Sequence, residues 1–143
     1  MSHTTLEYSG NLRHGGGFGD LCRKLAQYMT ALEAGGSPVF PPGGVRVRAI
    51  PCDEYCIADG TLSDAGFVHA ILKIGAGRSD AVKRAACHGL FDVMKAHFAE
   101  SYANRGLALS LELNEFSESG TLKHNNLHAR FPKPEPDSRK YPP

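Results

Sequence analysis

The residues from Lys73 to Asp80, Lys-Ile-Gly-Ala-Gly-Arg-Ser-Asp, combine types that can do chemistry together. An apolar stretch ends there, two glycines let the backbone turn, and Ser79 stands where an N-cap opens a helix. The free N–H groups and positive dipole end of a helix start attract anions, and an arginine beside them adds a fork of parallel donors. The spacing therefore marks Arg78 as a candidate for holding a carboxylate or a phosphate. The alternative is a plain strand-to-helix turn whose arginine points into water. Gly-x-Gly is a weak signal alone, and the third glycine of a dinucleotide fingerprint is absent.

Arg46 and Arg48 lie two apart on an alternating segment, so both project from one face while Val45 and Val47 take the other. If their face meets the mouth of the 75–79 turn, three arginines converge and the natural ligand is a dianion; if it is open, they are two solvated charges. Cys52 with Cys56, and His124 with His128, have metal-like residue types at i,i+4 spacing. Zinc knuckles usually leave two residues between their cysteines, where three stand here, so no metal is expected. His69, His88 and His97 read as satisfied structural histidines, and His14 as a loop residue. No Gly-x-Ser-x-Gly elbow is present to support a triad hydrolase.

The elements that must position these residues follow from periodicity. Residues 3–9 are rich in β-formers and precede a Gly-Asn exit, which predicts a strand. After the loop HGGGFG, the apolar positions Leu21, Leu25, Tyr28, Met29 and Leu32 predict an amphipathic helix over Asp20–Ala34, with Asp20 as N-cap and Gly35-Gly36 as its stop. A proline- and glycine-rich loop leads to a half-buried strand at 45–50, which Pro51 bends or confines to an edge. The pattern then repeats. A buried strand is predicted over Phe67–Ile74, a long helix from Ser79 to about Asn104, and a strand over Leu107–Phe116 with leucines at alternate positions. A further short strand is expected over Leu122–Phe131. The chain thus reads as an α+β protein of two βαβ units. Right-handed crossovers place both helices on one face of a single four-stranded mixed sheet.

Size and composition bound the function. The chain has 143 residues, the size of one domain, and burying roughly 68–70% of its unfolded surface gives a core without staples. The 16 Lys and Arg against 15 Asp and Glu argue against a nucleic-acid or membrane-surface partner, which would want a basic excess. No apolar run approaches the roughly 18 residues of a membrane span, and the amino terminus has no basic start followed by an apolar stretch. A cytoplasmic protein is expected. Its four cysteines read as buried thiols of a reducing compartment. Residues 132–143, PKPEPDSRKYPP, read as an extended or disordered tail behind a single domain over 1–131.

The wording of several segments is distinctive: SHTTLEYSGNLR, FPPGGVRVR, LKIGAGRS, ALSLELNEF and LKHNNLHARF. Over about Ser2 to Phe131 they resemble the 5-carboxymethyl-2-hydroxymuconate isomerases of the tautomerase superfamily. The resemblance implies a homotrimer with active sites near subunit boundaries. It implies cofactor-free proton shuttling in an unsaturated oxo-acid, here a small dicarboxylate dienol from aromatic catabolism. The family's base is an amino-terminal proline exposed by removal of the initiator methionine, whose amine an apolar pocket among cations keeps neutral. Arg46 and Arg78 fall where the family's substrate-binding arginines stand, and Arg48 also falls on a family arginine.

This chain departs from the family at the position of the base. Ser2 follows Met1 where the family has proline, while the neighbouring His3 still matches. With Met1 removed, the base would be the primary amine of Ser2; with Met1 retained, Ser2 offers only an amide nitrogen. Two readings follow, an isomerase in which Ser2 replaces the proline, and a catalytically silent trimer that serves as a carboxylate-binding or structural module.

Overall fold

The computed structural model describes residues 1–132, so the expected tail lies almost wholly outside the described residues. In chain order the elements are β1 (Ser2–Ser9), α1 (Phe18–Ala31), β2 (Glu33–Ala34), β3 (Ser37–Pro38), β4 (Val45–Cys52), β5 (Gly66–Gly75), α2 (Asp80–His97), α3 (Ala99–Asn104) and β6 (Leu107–Phe116). The main sheet has four strands in the order β4-β1-β5-β6. β1 runs parallel to β4, β5 runs parallel to β6, and the central β1–β5 pair is antiparallel. Two βαβ halves therefore meet at the middle of one mixed sheet.

Strand alternation decides where the core sits. Leu6 and Tyr8 of β1 and Val68, Ala70, Leu72 and Ile74 of β5 point to one side and are buried. They pack against Leu21, Leu25 and Met29 of α1 and against Ala86, Leu90 and Met94 of α2. Both helices thus cover the same face. The opposite face carries His3, Thr5 and Glu7 beside Arg46 and Arg48, with His69, Ile71 and Lys73 alongside. No helix of the described residues is long and apolar enough to cross a membrane.

Several boundaries differ from the periodicity reading. α1 begins at Phe18, with Gly17 as N-cap in the left-handed region (φ 64°). Phe18 stacks on Tyr8 at 3.6 Å between ring centroids, and burying that ring draws the helix start upstream of Asp20. Asp20 sits in the first turn and pairs with Lys24 at 2.9 Å. At the other end, Gly35 and Gly36 form the tip of the small β2–β3 hairpin, at φ 60° and 79°, and are not a helix stop. The predicted long helix is broken at buried Phe98, whose φ of −99° and ψ of 14° separate α2 from α3. Pro51 is carried within β4, where a sheet edge tolerates its missing N–H.

The largest difference is at 122–131. No strand forms there; the segment is irregular and ends in a short 3-10 turn, Leu127–Arg130. Asn125 Oδ1 accepts from the backbone N–H of Leu127 at 2.7 Å, a local bond that competes with ladder pairing. The thiols also differ from expectation. Cys56 is exposed, while Cys22, Cys52 and Cys87 are only half-buried at the margins of the layers.

Candidate active site

β1 begins at the centre of the sheet, with Ser2 paired to Val45 on one side and Ile74 on the other. That register sets the start of the chain between two turns. On the β4 side is the Pro42–Gly44 turn followed by Arg46; on the β5 side is the Gly75-Ala76-Gly77 turn followed by Arg78. Ser2 is 1% exposed, and its nitrogen is an amide in the ladder. The free amine belongs to Met1, which lines a cavity of about 390 Å³ with Gly44, Arg46, Leu122, Lys123, His124, Asn125 and His128. Its volume lies in the range of small-molecule sites.

The amine of Met1 is held below its ordinary value of 8.0, first by partial burial, then by the charges of Lys123 and Arg78, with Arg46 adding to them. Glu118 acts in the opposite sense. Removing an ammonium from water penalises its charged form, and neighbouring cations add to that penalty. The amine is therefore biased toward the neutral form, which can accept a proton.

Arg78 is fixed from behind. Nη1 donates to the Gly75 carbonyl and Nη2 to the Val39 carbonyl, both at 3.1 Å, and the guanidinium lies 5.0 Å from the Phe40 ring centroid. These bonds use two donors of the five a guanidinium carries, and the rest stay available. Ser79 caps α2 by accepting from Val82 N at 3.3 Å, as the sequence predicted. Arg46 Nη1 donates to the carbonyls of Gly43 and Val45 at 3.0 Å each, which anchors it at the cavity wall.

The structure brings Arg46 and Arg78 to the chain start and leaves Arg48 apart. Arg48 is exposed one pleat further along β4, donating to His3 Nδ1 at 3.0 Å on the uncovered sheet face. Burial and Arg48 push the His3 imidazole below 6.5. The cysteine and histidine pairs do not meet. Cys52 ends β4, whereas His124 and His128 line the cavity at its beginning, and eight strand residues separate the two ends. His69 bonds Ser110 and Glu112, and His97 bonds the Gly16 carbonyl, as structural histidines do. His88 is exposed instead.

Sequence reasoning did not single out Lys123, Asn125, Glu118 or Gly43. The 121–131 segment folds back over the chain start. Asn125 Nδ2 donates to the Gly43 carbonyl at 2.9 Å, and a Cβ on Gly43 would lie 2.7 Å from the backbone nitrogen of His128. The one available signal was the juxtaposition of polar Lys-His-Asn-Asn with the Pro-Pro-Gly-Gly turn, which only the fold supplies.

Two βαβ halves on one mixed sheet, with the amino end of β1 opening into a cationic cavity, define a protein of the tautomerase superfamily. The family model for 5-carboxymethyl-2-hydroxymuconate isomerase matches residues 2–131, and the chain belongs to that family. It is 40% identical over 131 residues to the 5-carboxymethyl-2-hydroxymuconate Delta-isomerase of Escherichia coli, covering 92% of this chain and 99% of that protein. A crystal structure of a 5-carboxymethyl-2-hydroxymuconate isomerase from Deinococcus radiodurans R1 superposes with a TM-score of 0.84 at 45% identity, covering 92% of this chain and 95% of the other. A second, described as a 5-carboxymethyl-2-hydroxymuconate delta-isomerase, gives 0.85 at 36%, covering 95% and 96%. At the level of fold alone, a macrophage migration inhibitory factor-like protein from Entamoeba histolytica matches with a TM-score of 0.53 at 10% identity. The chain is thus an isomerase, and the silent-module reading is not favoured.

Proposed function

We propose that this isomerase ketonises a dienol of the 5-carboxymethyl-2-hydroxymuconate class, moving a proton from the enol oxygen to the far carbon of the diene. The observation that carries the proposal is the chain-terminal amine, biased toward its neutral form, in a cavity walled by cations. The amine takes the enol proton and delivers one to carbon, so the sum is an isomerisation that needs no cofactor. Arg46 and Arg78 hold carboxylates and steady the negative charge that develops on the enol oxygen. Removal of Met1, which the small Ser2 favours, brings the amine one residue inward to the end of β1, and the Ser2 nitrogen becomes the base. The relatives' substrate name spells three carboxylates, two from muconate and one from carboxymethyl. That is one more than two arginines alone would suggest.

We also propose a homotrimer. The uncovered sheet face and the exposed Leu122, Leu127 and Phe131 beside the cavity offer surface for a neighbour, and one fold relative, a fused 4-OT, is described as a symmetric trimer. Light scattering would give the mass directly.

The decisive experiment is an ultraviolet assay of ketonisation, run after mass spectrometry has fixed whether Met1 is present, on the native chain, Ser2→Pro and Arg78→Ala. Turnover by the native chain with loss in Arg78→Ala supports the reading. Undiminished turnover by Arg78→Ala overturns the arginine's role. Activity confined to Ser2→Pro shows a pocket without a working base.

A further inference from the structure

We propose that Lys123 is the third carboxylate-binding cation of this site and the residue that selects a tricarboxylate over a dicarboxylate. The inference rests on the isomerase reading for the identity of the ligand, but its geometry is independent of the base. Lys123 lines the same cavity as Met1 and Arg46. Arg46 and Arg78 are each committed in part to backbone carbonyls, which fixes their positions. Lys123 is held loosely by comparison. Its Nζ lies 3.7 Å from Glu118 Oε2, with both side chains well exposed, and 5.5 Å from the Phe116 ring centroid. So weak a pair contributes little to the fold and leaves the ammonium free to take a better anion.

The backbone that carries Lys123 is, by contrast, well anchored. Before it, Thr121 Oγ1 donates to the Ser117 carbonyl at 2.6 Å; after it, Asn125 reaches the Gly43 carbonyl at 2.9 Å and turns the chain through Leu127 N. A weakly paired cation on a pinned strap beside the chain start suits an anionic ligand that enters the cavity. The three cations sit on three elements: Arg46 on β4, Arg78 at the turn into α2, and Lys123 on the strap. A ligand bridging all three needs separated anionic groups, and a branched tricarboxylate supplies one for each. The Glu118 carboxylate, near Lys123 and the Gly75 turn, disfavours any further anion beside it.

The test compares the native chain, Lys123→Met and Lys123→Arg in ketonisation of 5-carboxymethyl-2-hydroxymuconate and of 2-hydroxymuconate, which lacks the carboxymethyl arm. Measured at a pH well above the acid limb, where the shift of the base no longer counts, loss of one charged contact should raise KM about tenfold more for the tricarboxylate than for the dicarboxylate in Lys123→Met, with kcat the lesser change. Lys123→Arg should restore most of the difference. An equal rise for both substrates, or none for either, overturns the proposal. Calorimetric binding of propane-1,2,3-tricarboxylate against glutarate to the same proteins gives a readout that needs no turnover. A tricarboxylate preference lost in Lys123→Met upholds the subsite even if the native chain is inactive and the isomerase reading fails; a preference unaltered by the substitution, or none in the native chain, sinks it.

Discussion

Arg46 Nη1 and Asn125 Nδ2 donate to one acceptor, the carbonyl of Gly43, at 3.0 and 2.9 Å. A single backbone oxygen thus ties a cationic wall of the cavity to the strap that closes it. Gly43 can play this part because it has no Cβ, which would otherwise press on the backbone nitrogen and ring of His128 at 2.7 Å. Gly43→Ala should therefore push the strap away. Asn125→Ala removes two hydrogen bonds, and the one that crosses to Gly43 is worth about 1 kcal/mol or roughly a fivefold change in an equilibrium. Steady-state kinetics should show KM rising about fivefold in Asn125→Ala and further in Gly43→Ala, with kcat less affected. Native KM in Gly43→Ala would mean the strap has no part in binding.

The pH profile follows from the sign of the amine's shift. With Met1 in place, its value in the folded chain is lowered from 8.0 by burial, Lys123 and Arg78, so the neutral, proton-accepting form persists below the pH at which a free amine would hold it. The acid limb of kcat/KM should lie below 8.0. Removing Lys123 withdraws a lowering charge and should move the limb up; Glu118→Gln withdraws a raising charge and should move it down. The same sign fixes the stability linkage. A basic group with a depressed folded value stabilises fully above its unfolded value and loses that contribution as pH falls through the folded one. Acetylating the amine should abolish both turnover and this dependence. Shifts of the limb opposite to these would show that another group carries the proton.

Arg48 provides a contrast. Its guanidinium is spent on His3 Nδ1 on the uncovered face, outside the cavity lining. Arg48→Met should change KM by no more than about twofold, since its guanidinium lies outside the cavity lining and is already engaged with His3. The imidazole of His3 should instead rise toward 6.5, because one of the causes of its depression is gone. Nitrogen-detected NMR titration of His3 reads this directly. A KM for Arg48→Met as poor as that for Arg78→Ala would place Arg48 among the carboxylate binders after all.

The contrast between β6 and the strap shows which information is local in this sequence. The leucines at 107, 109, 111 and 113 alternate because one face of an edge strand packs on α2, so the strand at Leu107–Phe116 was legible to the residue. Ser79 as the cap of α2 was legible for the same reason, since a cap acts within three residues. The strap carries a β-like pattern too, but Asn125 satisfies the backbone of Leu127 and reaches across to the Gly43 carbonyl, so the segment turns instead of extending. Arg46 and Arg78 could be singled out because each sits at the end of a readable element. Lys123 could not, because its value depends on a chain reversal at Ser117–Thr121 that returns it to the first residue. The break at Phe98 was likewise invisible. It arises when a ring is buried at the expense of helix continuity, and helical periodicity does not register that exchange.

The packing of α1 on α2 yields the last prediction, on stability. Gly89 lies in the middle of α2, a position where Gly→Ala ordinarily strengthens a helix by about 1 kcal/mol. Here the hydroxyl end of Tyr28 occupies the space a Cβ would fill, and Tyr28 Oη donates to the Ala85 carbonyl at 3.1 Å one turn away. Alanine must push the ring off that carbonyl, and forcing atoms into filled space costs about 1–3 kcal/mol, which outweighs the propensity gain. Gly89→Ala should lower Tm by several degrees, at roughly 4 °C per kcal/mol for a chain of this length. The double substitution Tyr28→Leu with Gly89→Ala should recover part of the loss relative to Tyr28→Leu alone, because the helix then keeps the benefit of alanine without the obstructing ring. Differential scanning calorimetry of the four proteins closes this cycle. A higher Tm for Gly89→Ala alone would mean that the ring moves aside at no cost and that the glycine is not what lets the two helices approach.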